Sequence, residues 1–215
     1  MSTQFIPKGI LFDLDGVLLD TETIYTRIWN DIDRIYPTGV DNFAHAIKGN
    51  TLPRILSTYF PDPEVQPKVV ELLRESEESM DYPVFEGVMD FLDSLAAANV
   101  PAAIVTSSGD DKMERIGRSN SDFMSRFAAL ITDSCVTHSK PHPEPYLKGA
   151  EAIGVAPEDC IVFEDSFAGI EAGKAAGARV VALATTNSRE SLEGRADALI
   201  DNFVGLSLSD ILQML

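Results

Sequence analysis

Asp13 and Asp15 stand two residues apart at the end of a short apolar run, Ile10-Leu11-Phe12. The run reads as a buried strand, and side chains at that spacing point to the same face. Carboxylates at the mouth of a buried strand repel one another unless a cation or a proton sits between them. Gly16 follows, where a sharp turn favours a residue without a Cβ. Three further stretches offer matching chemistry: Thr106-Ser107, Lys140 and Glu164-Asp165. Several carboxylates with a single lysine and no convergent histidines suit a hard, oxygen-seeking cation, Mg²⁺ rather than zinc. The hydroxyl and amide groups of Thr106 and Ser107, with the ammonium of Lys140, suit a phosphate dianion. A carboxylate beside a bound phosphate and a metal can attack phosphorus and form an aspartyl-phosphate. A second carboxyl nearby can protonate the leaving oxygen and then activate water.

These groups are useful only if the fold brings them together. Alone, two aspartates would equally suit the solvated end of a strand. From Gly87 onward the chain alternates helices with short apolar strands: Ala102–Val105, Ala129–Thr132, Ile161–Phe163, Val180–Leu183 and Ala198–Ile200. That alternation predicts an α/β fold, a doubly wound, Rossmann-like parallel sheet covered on both faces. The candidate residues follow the C-terminal ends of the strands, which form one edge of such a sheet. The small residues Ala168, Gly169, Ala172 and Gly173 predict a helix lying close on the sheet. Between Asp20 and Tyr82 no strand signal is visible. Helices are expected there at Thr21–Tyr36, with Ile24, Ile28, Ile32 and Ile35 on one face, at Leu52–Tyr59 and at Glu64–Met80. The domains expected are therefore a core of residues 1–19 and 84–215 and an inserted all-helical cap of residues 20–83.

Bulk properties narrow the partners. With 215 residues and 45% apolar composition, the chain can bury one sizeable core and a small second domain. A formal net charge of −17 argues against nucleic acid or an anionic membrane as partner. Apolar runs are too short for a transmembrane helix, and the first residues lack a basic segment followed by an apolar one. Cys135 and Cys160 lack CxxC spacing. Two reduced thiols in a cytoplasmic, monomeric protein acting on a small phosphate ester are expected.

The four motifs, in order, are Asp13-Leu14-Asp15-Gly16-Val17, Val105-Thr106-Ser107, Lys140-Pro141 and Phe163-Glu164-Asp165-Ser166. They resemble those of the haloacid dehalogenase-like phosphohydrolase superfamily. The phrases DLDGVLLDTE, KPHPEPY and FEDSFAGIEAGKAAGA are most similar to the branch with a small helical cap, which includes β-phosphoglucomutases and sugar-phosphate phosphatases. The resemblance implies Asp13 as nucleophile and Asp15 as general acid/base. It implies Mg²⁺ held by Asp13, the Asp15 carbonyl, Asp165 and Glu164, and phosphate held by Thr106, Ser107 and Lys140. The dehalogenases lack the second aspartate of this pair, so Asp15 argues against their activity.

Phosphatase and mutase are separated by the cap. Where β-phosphoglucomutases carry a histidine and an arginine in the cap, this chain has Tyr25 and Leu52, which favours the phosphatase. A catalytically inactive phosphate-binding protein is a third reading, weakened by the presence of every expected catalytic side chain. The cap is expected to act as a mobile lid that selects the substrate, through Glu22, Tyr25 and the loop Lys48-Gly49-Asn50-Thr51. Trp29 and Phe43 are expected to pack the cap. His45 and His138 have no partners at metal-ligand spacing in the sequence, and a packing role suits His142 as well as a substrate contact does.

Overall fold

The computed structural model describes residues 5–47 and 52–215. Strand β1 (Gly9–Phe12) is buried along its whole length and ends at Asp13. The chain then enters a unit of four helices: α1 (Thr21–Ile35), α2 (Phe43–Ala46), α3 (Leu52–Tyr59) and α4 (Gln66–Glu78). In α1, Ile28 and Ile32 are buried and Trp29 joins them, but Ile35 is 55% exposed. The last turn of α1 therefore leaves the apolar stripe, and Trp29 replaces it. The Phe43 ring packs edge-on against Trp29, Tyr59 and Phe60, which gives the short α2 its anchor. Four residues carry too little helical periodicity to be seen in the sequence. Along α4, Arg74 pairs with Glu71 at 2.7 Å and Glu78 at 2.5 Å on the exposed face.

The rest of the chain builds the α/β part. Its elements are α5 (Val88–Ala97), β2 (Ala102–Val105), α6 (Asp110–Ser119), α7 (Ser121–Met124), β3 (Ala129–Ile131), α8 (Glu144–Ala152) and β4 (Cys160–Glu164). There follow α9 (Phe167–Ala175), β5 (Arg179–Leu183), α10 (Arg189–Leu192), β6 (Ala198–Ile200) and α11 (Leu208–Met214). By its contacts the chain divides into Met1–Asp20 with Tyr82–Leu215, and Thr21–Asp81. Asp20, Tyr82 and Pro83, placed with the cap by the sequence reading, are grouped with the larger unit. There the Pro83 carbonyl accepts from the Asp20 amide at 2.9 Å and the Tyr82 carbonyl from Asn120 Nδ2 at 3.1 Å. Among the described residues, no helix is long and apolar enough to cross a membrane.

All six strands pair in parallel, in the order β3-β2-β1-β4-β5-β6. Strand order reverses beside β1, and a crevice at the C-terminal ends is the usual consequence. Register sets which residues share that edge. Phe12 lies level with Ile104 and Phe163, so Asp13, Val105 and Glu164 form the next row. Alternation then divides the core. On one face Phe12 stacks on Phe163 with ring centroids 5.0 Å apart, and Phe91 and Phe203 close around them. On the other face Leu11, Val105 and Val162 pack with Tyr146, Ala150, Ile170 and Ala172. Removing a fully buried ring such as Phe12 or Phe163 would cost about 3–5 kcal/mol.

The close approach of α9 follows from its small residues, as the sequence predicts. A Cβ at Gly173 would lie 2.9 Å from Val180 and 3.1 Å from Val162. At Gly169 it would run into the carboxylate of Glu164. A glycine there is what lets α9 begin directly against a buried acid.

Candidate active site

The ammonium of Lys140 sits at the centre of the row that register creates. It donates to Asp13 Oδ1 at 2.5 Å, to Glu164 Oε1 at 2.7 Å and to the Val105 carbonyl at 3.1 Å. One cation therefore ties together the ends of three adjacent strands. Glu164 is completely buried, and both its oxygens are used. Oε1 also accepts from the Tyr146 hydroxyl at 2.8 Å. Oε2 accepts from the Asp165 amide, the Ser166 amide and the Ser166 hydroxyl, each at 2.9 Å. Ser166 in turn caps α9 by accepting from the Gly169 amide at 3.0 Å. The buried carboxylate is thus fully hydrogen-bonded, which is the condition for keeping a charge in a core.

One ligand oxygen from each of Asp13, Glu164 and Asp165 lies within 4.8 Å of the others. Three carboxylates against one ammonium leave negative charge uncompensated, and the titration behaviour follows from that. Burial pushes Asp13 well above the ordinary carboxylate range, and the charge of Lys140 only partly offsets it. Burial, then the charge of Glu164, pushes Asp165 up to about 7. Burial also opposes ionisation of Glu164, but Lys140 and the surrounding donors outweigh it and hold the group below its usual value. Burial would strip the proton from Lys140, yet the charges of Asp13 and Glu164 hold its pKa above normal. Burial, then Glu164, raises the Tyr146 phenol well above normal, so it remains a donor. A cluster of acids that burial and mutual repulsion make costly to ionise, lined by oxygen donors, is a site that can accept a hard cation.

Asp15 faces a different set of partners. Its Oδ2 accepts from the Ser108 hydroxyl at 2.8 Å and its Oδ1 from Lys112 at 2.6 Å. Ser108 lies just before α6 and Lys112 in its first turn, so α6 delivers a second lysine to the edge. The sequence reading counted one. Thr106 is buried and its hydroxyl accepts from the Ser108 amide at 3.0 Å, closing the turn after β2. Ser107 is exposed at that turn. Gly16 has φ 81°, and a Cβ there would collide with the Asp165 carboxylate. The loop after β5 also reaches the edge: the Thr185 hydroxyl donates to the Gly16 carbonyl and Asn187 Nδ2 to the Asp165 carbonyl at 2.9 Å.

The structure therefore brings together Asp13, Asp15, Thr106, Lys140, Glu164 and Asp165, and adds Ser108, Lys112, Tyr146, Thr185 and Asn187. The last two follow a strand end, the signal that marked the other motifs. Tyr146 is a core-sized residue on a helix, and nothing local distinguishes it. In the helical unit the Tyr25 hydroxyl donates to Glu77 at 2.8 Å. Lys48 and Thr51, with Gly49 and Asn50, lie outside the described residues. His138 differs from expectation: one ligand atom from each of His138, His142 and Glu144 lies within 4.8 Å of the others.

Comparison with known proteins agrees with this geometry. The family model described as haloacid dehalogenase-like hydrolase matches residues 10–183, which span all four motifs. Hexitol phosphatase A of Escherichia coli is 33% identical over 180 residues, 82% of each chain. Phosphoglycolate phosphatase of Xylella fastidiosa is 33% identical, covering 98% of this chain and 96% of its own. Among solved structures, a putative β-phosphoglucomutase from Thermotoga maritima superposes with a TM-score of 0.74 at 28% identity, covering 90% of this chain and 94% of its own. With motifs, sheet order and relatives in agreement, this chain belongs to the haloacid dehalogenase-like hydrolase family.

Proposed function

We propose that this protein is an Mg²⁺-dependent phosphatase of small phosphate monoesters, sugar phosphates foremost, working through a phosphorylated Asp13. The observation that carries the reading is Lys140 at 2.5 Å from Asp13, in a cluster with Glu164 and Asp165. A nucleophile needs to be ionised, oriented and close to the positive charge that draws in its anionic target. Lys140 orients Asp13 and brings positive charge beside it, and a bound cation would supply the further charge that favours its ionised form. Relatives named for hexitol and phosphoglycolate phosphatase activity support a small phosphorylated substrate.

The donor set fits Mg²⁺, which takes oxygen ligands and few others. Asp13, the Asp15 carbonyl, Asp165 and Glu164 would hold it, with Glu164 giving up one of its protein donors to join. When bound, the ion supplies positive charge against the phosphoryl oxygens. Thr106, Ser107 and Lys140 bind and orient the phosphoryl group. An Asp13 oxygen attacks phosphorus as the bond to the ester oxygen breaks, and protonated Asp15 gives its proton to that oxygen. Asp15, now a carboxylate, takes a proton from water; the water oxygen bonds to phosphorus, the Asp13–phosphorus bond breaks, and inorganic phosphate leaves. Asp15 suits this double duty because it stands apart from the dry cluster. Choice among esters is assigned to the helical unit, since these core residues act on the phosphoryl group that all esters share.

Release of inorganic phosphate from a panel of sugar phosphates and phosphoglycolate, with Mg²⁺ and after chelation, tests the reading. Turnover that needs Mg²⁺ supports it, and full turnover in thoroughly chelated enzyme rules the mechanism out. The likeness to a putative β-phosphoglucomutase favours one second reading, a phosphosugar mutase. Isomerisation of β-glucose 1-phosphate without net phosphate release would establish that instead.

A further inference from the structure

The loop that carries Lys140 has a second cluster of ligand-type side chains, of different composition. Glu144 is the first residue of α8, and its carboxylate is folded back over the loop before it. Its Oε1 accepts from the Thr137 amide at 2.9 Å and its Oε2 from the His138 amide at 3.0 Å. Lys148, one turn on, lies 3.2 Å from Oε1. The Thr137 amide first, then the His138 side chain, hold the Glu144 carboxyl down to about 2, so it stays ionised. His138 Nδ1 lies 2.9 Å from Oε2. The Glu144 amide donates to His142 Nδ1 at 3.2 Å, which brings that ring to the same place. The two imidazoles face each other with centroids 4.5 Å apart and planes inclined by 30°.

We propose that His138, His142 and Glu144 form a second metal site, for a borderline divalent ion of the zinc class. Two imidazoles and a carboxylate are a donor set for such ions and a poor one for Mg²⁺. Bond lengths of about 2.0–2.1 Å place neighbouring ligand atoms roughly 3 Å apart, and the His138–Glu144 contact of 2.9 Å already has that length. His138 has a side chain 62% exposed, which gives the ion entry and leaves room for water to complete its shell. The backbone amides that hold Glu144 restrict its position before any ion arrives. Lys140 lies between the two histidines in sequence, so a metal here braces the segment that delivers the lysine to Asp13. The proposal stands whatever ester the carboxylate site prefers.

The chain has three histidines, His45, His138 and His142, which makes imidazole NMR decisive. Tag-free, chelator-stripped, full-length protein is saturated with Mg²⁺ and titrated with Zn²⁺. Two imidazole spin systems, assigned to His138 and His142 by single substitution, should shift together and saturate at one equivalent, with His45 unmoved. Calorimetry under the same conditions should show the affinity falling in His138→Ala and His142→Ala by more than the ~10–100-fold typical of losing an outer partner. Asp165→Asn should leave this binding in place. Unshifted His138 and His142 signals in the unsubstituted protein would overturn the proposal, even if a variant fails to fold. Equal Zn²⁺ affinity with and without the histidines would overturn it too.

Discussion

Asp13 and Asp15 are separated by one residue, yet they belong to two different environments. Asp13 is held by Lys140, whose side chain is 6% exposed, against Glu164, which is not exposed at all. Asp15 is held by Lys112 and Ser108, and its side chain is 30% exposed. Both aspartates are paired with a lysine at nearly the same distance. What differs is the surroundings. On the Lys140 side the charges sit in a dry, fully bonded network, where Coulomb interactions are strong and any missing partner is costly. On the Lys112 side the lysine is 13% exposed but the carboxylate 30%, so the pair is partly screened and Asp15 keeps contact with solvent. A fixed nucleophile suits the first environment and a proton shuttle the second. Identical residue types two positions apart can thus be given different surroundings by burial and by the partners the fold brings to each.

The comparison is broken most sharply at Asp13. Asp13→Asn should fold and lose turnover by about 10⁴-fold or more, the scale seen when a nucleophile is removed; retained phosphate release would remove Asp13 from its role. The two lysines are the direct contrast. Lys140→Met leaves Glu164 buried without its counter-charge and should cost about 3–5 kcal/mol in denaturant unfolding, with loss of most activity. Lys112→Met should cost less, because Asp15 keeps the Ser108 hydroxyl and its contact with solvent, and should lower kcat more modestly. Equal stability losses would show that the two sides are not as different as their burial says.

If Thr106 donates to the transferring group as proposed, Thr106→Ala should lower kcat by roughly 10²-fold, by analogy with an oxyanion-hole donor. Steady-state kinetics would show the loss in kcat rather than KM. The comparison also predicts how stability depends on pH in the metal-free protein. Asp165 is raised to about 7 by burial and Glu164, so between its ordinary value and 7 the folded state binds the proton that the unfolded state has lost. Stability should therefore fall as pH rises through that window. Mg²⁺, which favours the ionised acids, should raise the melting temperature more at the upper end than at the lower. A melting temperature that rises with pH in chelated protein would mean the acids are not raised as described.

Much of the edge is legible in the sequence because its signals are local. Apolar runs of strand length end in Asp13, Thr106 and Glu164, and parallel strands bring such ends together by topology alone. The small residues of α9 announce close packing, and the six strands are each visible as apolar segments. Short helices such as α2 and α7 are not legible, since one turn carries no period. Ile35 misleads because a stripe on a helix does not say where the helix leaves its neighbour.

What only tertiary structure decides is the pairing. Lys140 is 127 residues from Asp13 and Lys112 is 97 from Asp15, and nothing in the spacing of either lysine says which acid it will meet. The same holds for Tyr146 under Glu164, a contact set by how α8 lies on the sheet. The meeting of His138, His142 and Glu144 is local in sequence but depends on a loop folding back over the start of a helix. Residue types and periodicity determine which groups line an edge. Distance and burial, properties of the folded chain, determine which of them are charged, which are dry, and so what each is able to do.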